Sequence, residues 1–438
     1  MLAASRSESP RAVCLFRPRF SVLHDPPGSR AHPAARRSLG TSRSTFMEFL
    51  NAQRSTFEDP RAGAGPHVVI QRLARTENAL RNFLLYGWGM YRNIIPALTI
   101  LLILLLAACP GSKPPVQPEP SLAAAATLAW PGPNATANAD VAGALGGNIS
   151  GLAYQGSTAC GAPTMWAVKN GPSVIYKMAW NGTAWASVQT DGWGAGKALR
   201  YASGTGSPDA EDLVFPDASG NVYVAVERDG SGPSKPSILQ YDVSAAGTSF
   251  NAVREWNLTA DLPTVSSNAG FEALTFLPDA YLTFRKFRDE RLNKLYNPAD
   301  YPNHGSGLLM AGLEGNGGMY VYALNHSSPT SFLRVAFVAS GWPSIMALVY
   351  DREAGSVWAW CDNTCSNQGK VFDVDPVTGK FTLRVTYLKP STLGNYNHEG
   401  ITFAECSMGW RTFYWADDSA TGGNVIRRDA IPCGRPYP

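Results

Sequence analysis

One feature constrains this chain more than any other: a unit of three or four short strands that returns from Asn148 to the C-terminal region. Ile149 to Tyr154, Met165 to Val168 and Val174 to Met178 form its first copy. Glu211 to Phe215, Asn221 to Val226 and Ile238 to Asp242 form the second, and Glu272 to Phe276, Leu308 to Gly312 and Gly318 to Tyr322 the third. The fourth runs Met346 to Tyr350, Ser356 to Trp360 and Gly369 to Asp373, and the fifth Glu399 to Phe403, Arg411 to Trp415 and Asn424 to Arg427. The starts at Ser150, Glu211, Glu272, Met346 and Glu399 are separated by 61, 61, 74 and 53 residues. Turn residues such as Asp217 to Gly220 and Asp351 to Gly355 punctuate each copy. A single small antiparallel sheet cannot bury both faces, but radial stacking of such sheets buries both and hides their edges. The chain therefore reads as all-β, a β-propeller over residues 144–438. Five blades are visible, and Tyr281 to Ser306 or Thr382 to Asn397 leaves room for a sixth. A β-sandwich is the competing architecture, and the long period counts against it.

Composition agrees. Charged residues are 16% of the 438, against 42 Gly and 32 Pro, a balance that favours short strands and tight turns over helical bundles. Twelve Trp and 17 Tyr suit half-buried sheet faces. The net charge of +3 is small, and the first 89 residues hold much of the positive charge. No basic patch with interleaved aromatics remains, so nucleic acid is not an expected partner. The last unit leaves little chain for an outer strand, so ring closure is expected to borrow one from upstream, around Ala124 to Trp130 or Ala142. Leu282 to Asn303 is a charged and aromatic interruption. It reads as a solvated helical excursion or a cover over one mouth of the channel.

Upstream of the repeats, Ile94 to Leu106 is apolar and leads into Leu106-Ala107-Ala108-Cys109, behind a short basic start at Met90 to Asn93. The continuous apolar stretch of roughly 15 residues falls short of the about 20 a spanning helix needs. Residues 90–108 thus have the shape of a signal peptide, and their ending resembles the lipobox of bacterial lipoproteins. That resemblance implies acylation (palmitate or a similar chain) at Cys109 and a domain anchored by lipid outside the cytoplasm of a bacterial cell. The alternative is a transmembrane anchor. Residues 109–143, rich in Pro, Ala and Asn, read as a flexible tether. Residues 1–89 then read either as a disordered extension or as sequence lying ahead of a true start at Met90.

The unit starts Asp209-Ala210-Glu211-Asp212, Gly270-Phe271-Glu272-Ala273 and Asn397-His398-Glu399-Gly400-Ile401 resemble the Glu-Gly-(Leu/Ile) repeats of secreted bacterial propellers. Those belong to the SdiA-regulated, calcium-associated family and to the esterase-like phytase family. The resemblance implies a five- or six-bladed propeller, an extracytoplasmic place and divalent-cation binding. Ser150 and Met346 depart from it at the acidic position.

If each blade's first strand lines the channel, Glu211, Glu272 and Glu399 converge. Like charges confined there need a cation, a basic partner or raised pKa values. Ca2+ takes six to eight oxygens, and Asp212 and Asn397 would complete a ligand set with those glutamates. The other reading has each glutamate bonding backbone N–H groups to hold the blades in register. His398 beside Glu399 is a candidate for acid–base chemistry, with a turn histidine as its plain reading. Cys361 and Cys365 are expected to close a tight loop by a disulfide, and Cys406 and Cys433 to pin the last unit, leaving Cys160 over. Zinc at Cys361 and Cys365 is the alternative. Two functions follow. One is a tethered module that binds an extracytoplasmic ligand, glycan or protein, with Ca2+ in its channel. The other is a metal-dependent phosphatase- or esterase-like hydrolase. Whether the chain is an enzyme stays open at this point.

Overall fold

The computed structural model describes residues 125–130, 136–157, 161–217, 219–328, 330–391 and 393–434. The N-terminal extension, the signal peptide and lipidated Cys109 expected from sequence, most of the expected tether, and Cys160 lie outside the described residues. Among the described residues no helix is long and apolar enough to cross a membrane.

Five blades form. Blade 1 runs Ile149–Gln155, Thr164–Lys169, Val174–Trp180 and Lys197–Arg200 from axis to rim. Blade 2 is Pro208–Val214, Asn221–Asp229, Ser234–Asp242 and Arg254–Asn257. Blade 3 is Phe271–Pro278, Gly307–Leu313, Gly318–Leu324 and Phe332–Ala339. Blade 4 is Ala347–Asp351, Ser356–Trp360, Gly369–Val374 and Phe381–Leu388. Blade 5 takes only three strands from the C-terminal region, His398–Phe403, Trp410–Asp417 and Ile426–Pro432.

The fourth strand of blade 5 is Ala137–Asn138, paired antiparallel with Arg427 and Arg428. Closure by an upstream strand is thus present, but between the two places expected for it. Ala126–Ala129 instead adds a parallel strand to blade 4. The ring has five blades, and neither suspected region holds a sixth: Phe381–Leu388 belongs to blade 4, and residues 279–306 hold one short helix, a two-residue hairpin and a 3-10 turn.

Five apolar clusters, one at each blade interface, hold the ring. The strand Ser356–Trp360 shows how. Val357 and Ala359 enter the cluster shared with blade 3, while Trp358 and Trp360 enter the one shared with blade 5. Successive side chains point to opposite faces, and here both faces are covered. That is why these strands read as continuous apolar runs and not as alternating ones. The cluster between blades 5 and 1, with Ile426, Tyr414, Ile149 and Met165, closes the circle.

The interruption after Pro278 departs from the solvated reading. Leu282, Phe287, Tyr296 and Tyr301 are buried in the cluster between blades 3 and 4, and Arg285 Nε donates to Asp373 Oδ1 at 3.0 Å. It contributes no residue to the wall of the central cavity.

The disulfides Cys361–Cys365 and Cys406–Cys433 both form, with Cα atoms 5.7 and 5.9 Å apart. Zinc at Cys361 and Cys365 is thereby displaced. The second bridge ties the link after the inner strand of blade 5 to the end of its third strand.

Candidate functional site: an acidic mouth on the ring axis

The acidic positions are marked in the backbone. Between first and second strands the register shifts from Ile149 to Gly151, Ala210 to Asp212, Phe271 to Ala273 and His398 to Ile401. Ser150, Glu211, Glu272 and Glu399 therefore sit at bulges, outside the regular ladder. A bulge bends the strand and re-aims the extra side chain, and such features gather beside functional sites. Blade 4, which carries Met346 at this position, pairs Ala347 to Asp351 without a shift.

These bulges bring the three glutamates into mutual electrostatic contact. Glu272 feels Glu211, Glu227, Glu399 and Glu314, and Glu399 feels Glu211 and Asp418. Asn170 Nδ2 donates to Glu211 Oε2 at 3.4 Å, and Asn397 Nδ2 to Glu399 Oε1 at 3.4 Å and Asp418 Oδ2 at 3.2 Å. Ser150 faces both Glu211 and Glu399 and favours their charged forms. Oxygens of Asp209, Glu211 and Glu227 lie within 4.8 Å of one another, as do those of Glu227, Glu272 and Glu314. Glu227 thus joins two groups of carboxylates.

Burial first, and then the neighbouring carboxylates, push Glu211, Glu272 and Glu399 well above the usual carboxylate range. Burial raises Glu227 to about 7 and also raises Glu314 and Asp418. Arg228 is the cation inside the cluster, with Nε 2.6 Å from Asp209 and 3.3 Å from Glu227. No hydrogen bond to the Glu272 carboxylate forms among the described residues.

Several members were not singled out from sequence. Asn170, Glu314, Asp418 and Asp362, whose charge acts on Glu314 and Glu399, each follow the second strand of their blade closely, and Glu227 lies near the end of that strand in blade 2. Aligning the second strands as well as the first would have shown this recurrence of polar residues.

Asp212 was a candidate cation ligand, and its carboxylate is engaged elsewhere. It accepts the N–H groups of Leu213 and Leu274 at 2.8 Å each, and Leu348 N–H as well. Reaching from blade 2 to blades 3 and 4 requires it to lie across the axis. The equivalent positions are Gly151, Ala273, Ala347 and Gly400, all small. A Cβ on Gly151 would stand 2.7 Å from Asp212 Cα. Asp212 follows the register-holding reading, fastening inner strands together beneath the mouth. Thr402 and Thr275 do similar work further along, accepting Tyr154 N–H at 3.0 Å and Tyr350 N–H at 2.7 Å from the next blade.

His398 is not in the mouth. It is fully buried among Trp130, Tyr396 and Trp415, with ring centroids 5.3, 5.7 and 5.7 Å away. Burial, then Lys389 and Arg427, lower its pKa to about 3, so it is neutral at ordinary pH. Neither the acid–base role nor the turn-histidine reading describes it. The strand alternation that sends Glu399 to the axis sends His398 into the blade interface.

Beyond Asp212 the axis opens into a cavity of about 620 Å³ on the opposite face. All five blades line it. Its floor includes Leu152, Leu213, Leu274, Leu348 and Ile401, the aliphatic residues of the repeated motif. Glu272-Ala273-Leu274 and Glu399-Gly400-Ile401 thus show a full division of labour: acid to the mouth, a small residue at the close approach, and an aliphatic one at the cavity floor.

Ring and mouth define a five-bladed β-propeller that gathers carboxylates from several blades on its axis. Within that class, residues 145–292 match the phytase-like family model, described as esterase-like activity of phytase. The match covers blades 1 and 2 and the inner strand of blade 3, and agrees with the resemblance read from the motifs. Among solved structures, the crystal structure of the Chaetomium thermophilum Sqt1 is similar at 13% identity, with a TM-score of 0.28. The alignment covers 52% of this chain and 50% of that one, so the chain spans about half the length of that protein. A likeness this slight has no bearing on function. No curated protein matches the chain.

Proposed function

We propose that this chain is a membrane-tethered extracytoplasmic propeller that binds a divalent cation, Ca2+ before others, in its acidic mouth. On this reading it acts as a binding module whose ligand occupies the cavity on the opposite face. The observation that carries the cation reading is the convergence of Glu211, Glu272 and Glu399 with Glu227 and Glu314, while Arg228 ion-pairs only with Asp209 and Glu227 at one side of the cluster. The donors are oxygens only, which suits a hard cation of high coordination number. Asn397, Asn170 and Ser150 supply neutral oxygens at the edge. A structural cation would replace the protons that the crowded carboxylates otherwise hold.

Calcium titration followed by thermal melting tests this. The melting temperature rises with Ca2+ in the native chain, and the rise shrinks in Glu272→Gln. A chain whose melting does not respond to Ca2+, Mg2+ or Mn2+ overturns the cation reading. The acylated Cys109 tether is tested separately by intact mass of the mature protein.

The family description favours a second reading, a metal-dependent hydrolase of ester or phosphoester substrates. There the cation would polarise substrate or activate water. A phosphatase and esterase screen decides between the two. Cation-dependent turnover lost in Glu272→Gln supports the hydrolase, and stabilisation without turnover supports the binding module.

A further inference from the structure

The two faces of the ring differ in what they expose. Links joining first to second and third to fourth strands lie on the face where the cavity opens; the acidic mouth lies on the other. Among large hydrophobic residues, Met408 is 100% exposed, Phe284 79% and Val377 58%, and Leu295, Trp410 and Val253 are each more than half exposed. All six lie within these links or at their ends: Phe284 and Leu295 after the inner strand of blade 3, Met408 and Trp410 after that of blade 5. Val377 and Val253 stand between the third and fourth strands of blades 4 and 2. The less exposed remainder, including Leu388 at 42% and Val141, is spread over both faces.

The links of blades 5 and 3 that carry Met408 and Phe284 both pack on the first link of blade 4. Cys406 N–H, in the link that carries Met408, donates to Glu353 Oε1 at 2.9 Å. Tyr281, on the helix Asp279–Phe284, packs at a tilt against Tyr350 with centroids 4.7 Å apart. Tyr350 and Glu353 flank the same short link of blade 4.

The chain also enters from this side. Ala126–Ala129 runs parallel to Phe381–Leu388, which descends from the turn holding Val377, so the residue before Ala126 comes from the cavity face. Cys109 lies 17 residues earlier (126 − 109). A Pro-rich spacer of that length reaches about 50 Å at most at roughly 3.1 Å per residue.

We propose that the cavity face rests on a lipid bilayer, with Phe284, Val377, Met408 and Trp410 set into the headgroup boundary. Apolar tips beside an indole suit that boundary. The links on this face mix both signs, as in Arg285-Lys286-Phe287-Arg288-Asp289-Glu290, so no run of acidic charge opposes contact with an anionic leaflet. This inference rests on the tether reading for its membrane and adds which face meets it. The cavity then opens toward the bilayer, and its ligand arrives from the lipid side.

The test places the full chain with vesicles of phosphatidylcholine and phosphatidylglycerol and follows hydroxyl-radical modification residue by residue. Phe284, Val377, Met408 and Trp410 should be modified several-fold more slowly than without vesicles, with Leu388 and Val141 unchanged. Equal rates everywhere, or slowing at Leu388 and Val141 instead, overturn the proposal. Flotation of the native and Cys109→Ser chains reports the tether by itself. If both float alike the acyl tether is wrong, and the footprint still judges the face. Flotation that depends on Cys109, with no protection at Met408, overturns the face alone. Phe284→Ser with Met408→Ser changes only exposed side chains, and should restore fast modification at Trp410.

Discussion

Arg411 of blade 5 and Asp351 of blade 4 form a two-pronged ion pair, with side-chain exposures of only 2% and 1%. Removing one partner strands a buried charge, at a cost of about 3–5 kcal/mol, whereas replacing both with apolar groups costs much less. Arg411→Ala should therefore lower the unfolding free energy by that amount, and Arg411→Met with Asp351→Asn, which removes both charges but keeps an acceptor for the Glu353 and Ala354 N–H groups, should recover part of it. Chemical denaturation of the three chains checks this. Equal loss in the single and double variants would show that packing, not charge, dominates the contact.

Gly400→Ala would place a Cβ 2.6 Å from Gly151 Cα, where blade 5 meets blade 1. Backbone cannot move aside there without opening the ring, so a loss of about 1–3 kcal/mol is expected from overpacking. Thermal melting of the variant measures it, and an unchanged midpoint contradicts the close approach.

Asp212→Ala leaves the buried N–H groups of Leu213, Leu274 and Leu348 without their acceptor. Each such group costs about 1–3 kcal/mol, so this variant should be among the least stable at the axis. Glu272→Gln should do the opposite in cation-free buffer, raising the melting temperature by removing a repelled carboxylate. Both are read in one calorimetric series, and a fall for Glu272→Gln without cation would contradict the repulsion argument.

The mouth predicts a pH dependence with a definite sign. Glu211, Glu272 and Glu399 are raised well above, and Glu227 to about 7 from, an ordinary value of 4.5. The folded chain therefore holds more protons than the unfolded one above that ordinary value, and stability falls as pH rises through the folded pKa values. Without divalent cation, the melting temperature should drop between about pH 5 and pH 8. Saturating Ca2+ should flatten the drop, because the ion takes the place of the protons. Parallel slopes with and without Ca2+ would contradict this.

Much of this was readable before the fold was seen. The motif Glu-(Gly/Ala)-(Leu/Ile) recurs because three neighbouring environments recur, and spacing alone exposes such a repeat. Both disulfides were also legible, because each pair lies within one unit. His398 was not, since its role depends on which way one strand residue faces, and the bulge at Glu399 decides that. Glu227 and Glu314 were missed because they lie at or just past the ends of second strands, whose distance from the motif varies. The closing strand at Ala137–Asn138 is two residues long, too short to leave a pattern. The backbone ties of Asp212 were not legible because, in sequence, a carboxylate that ties backbone looks the same as one that waits for a metal.

A carboxylate clamped across the centre of the ring separates the acidic cluster from the cavity on the opposite face. Nothing need travel from one to the other, so the acidic side can keep its residues while the cavity changes its walls freely. Relatives with this clamp can therefore differ in what they capture and still keep one scaffold.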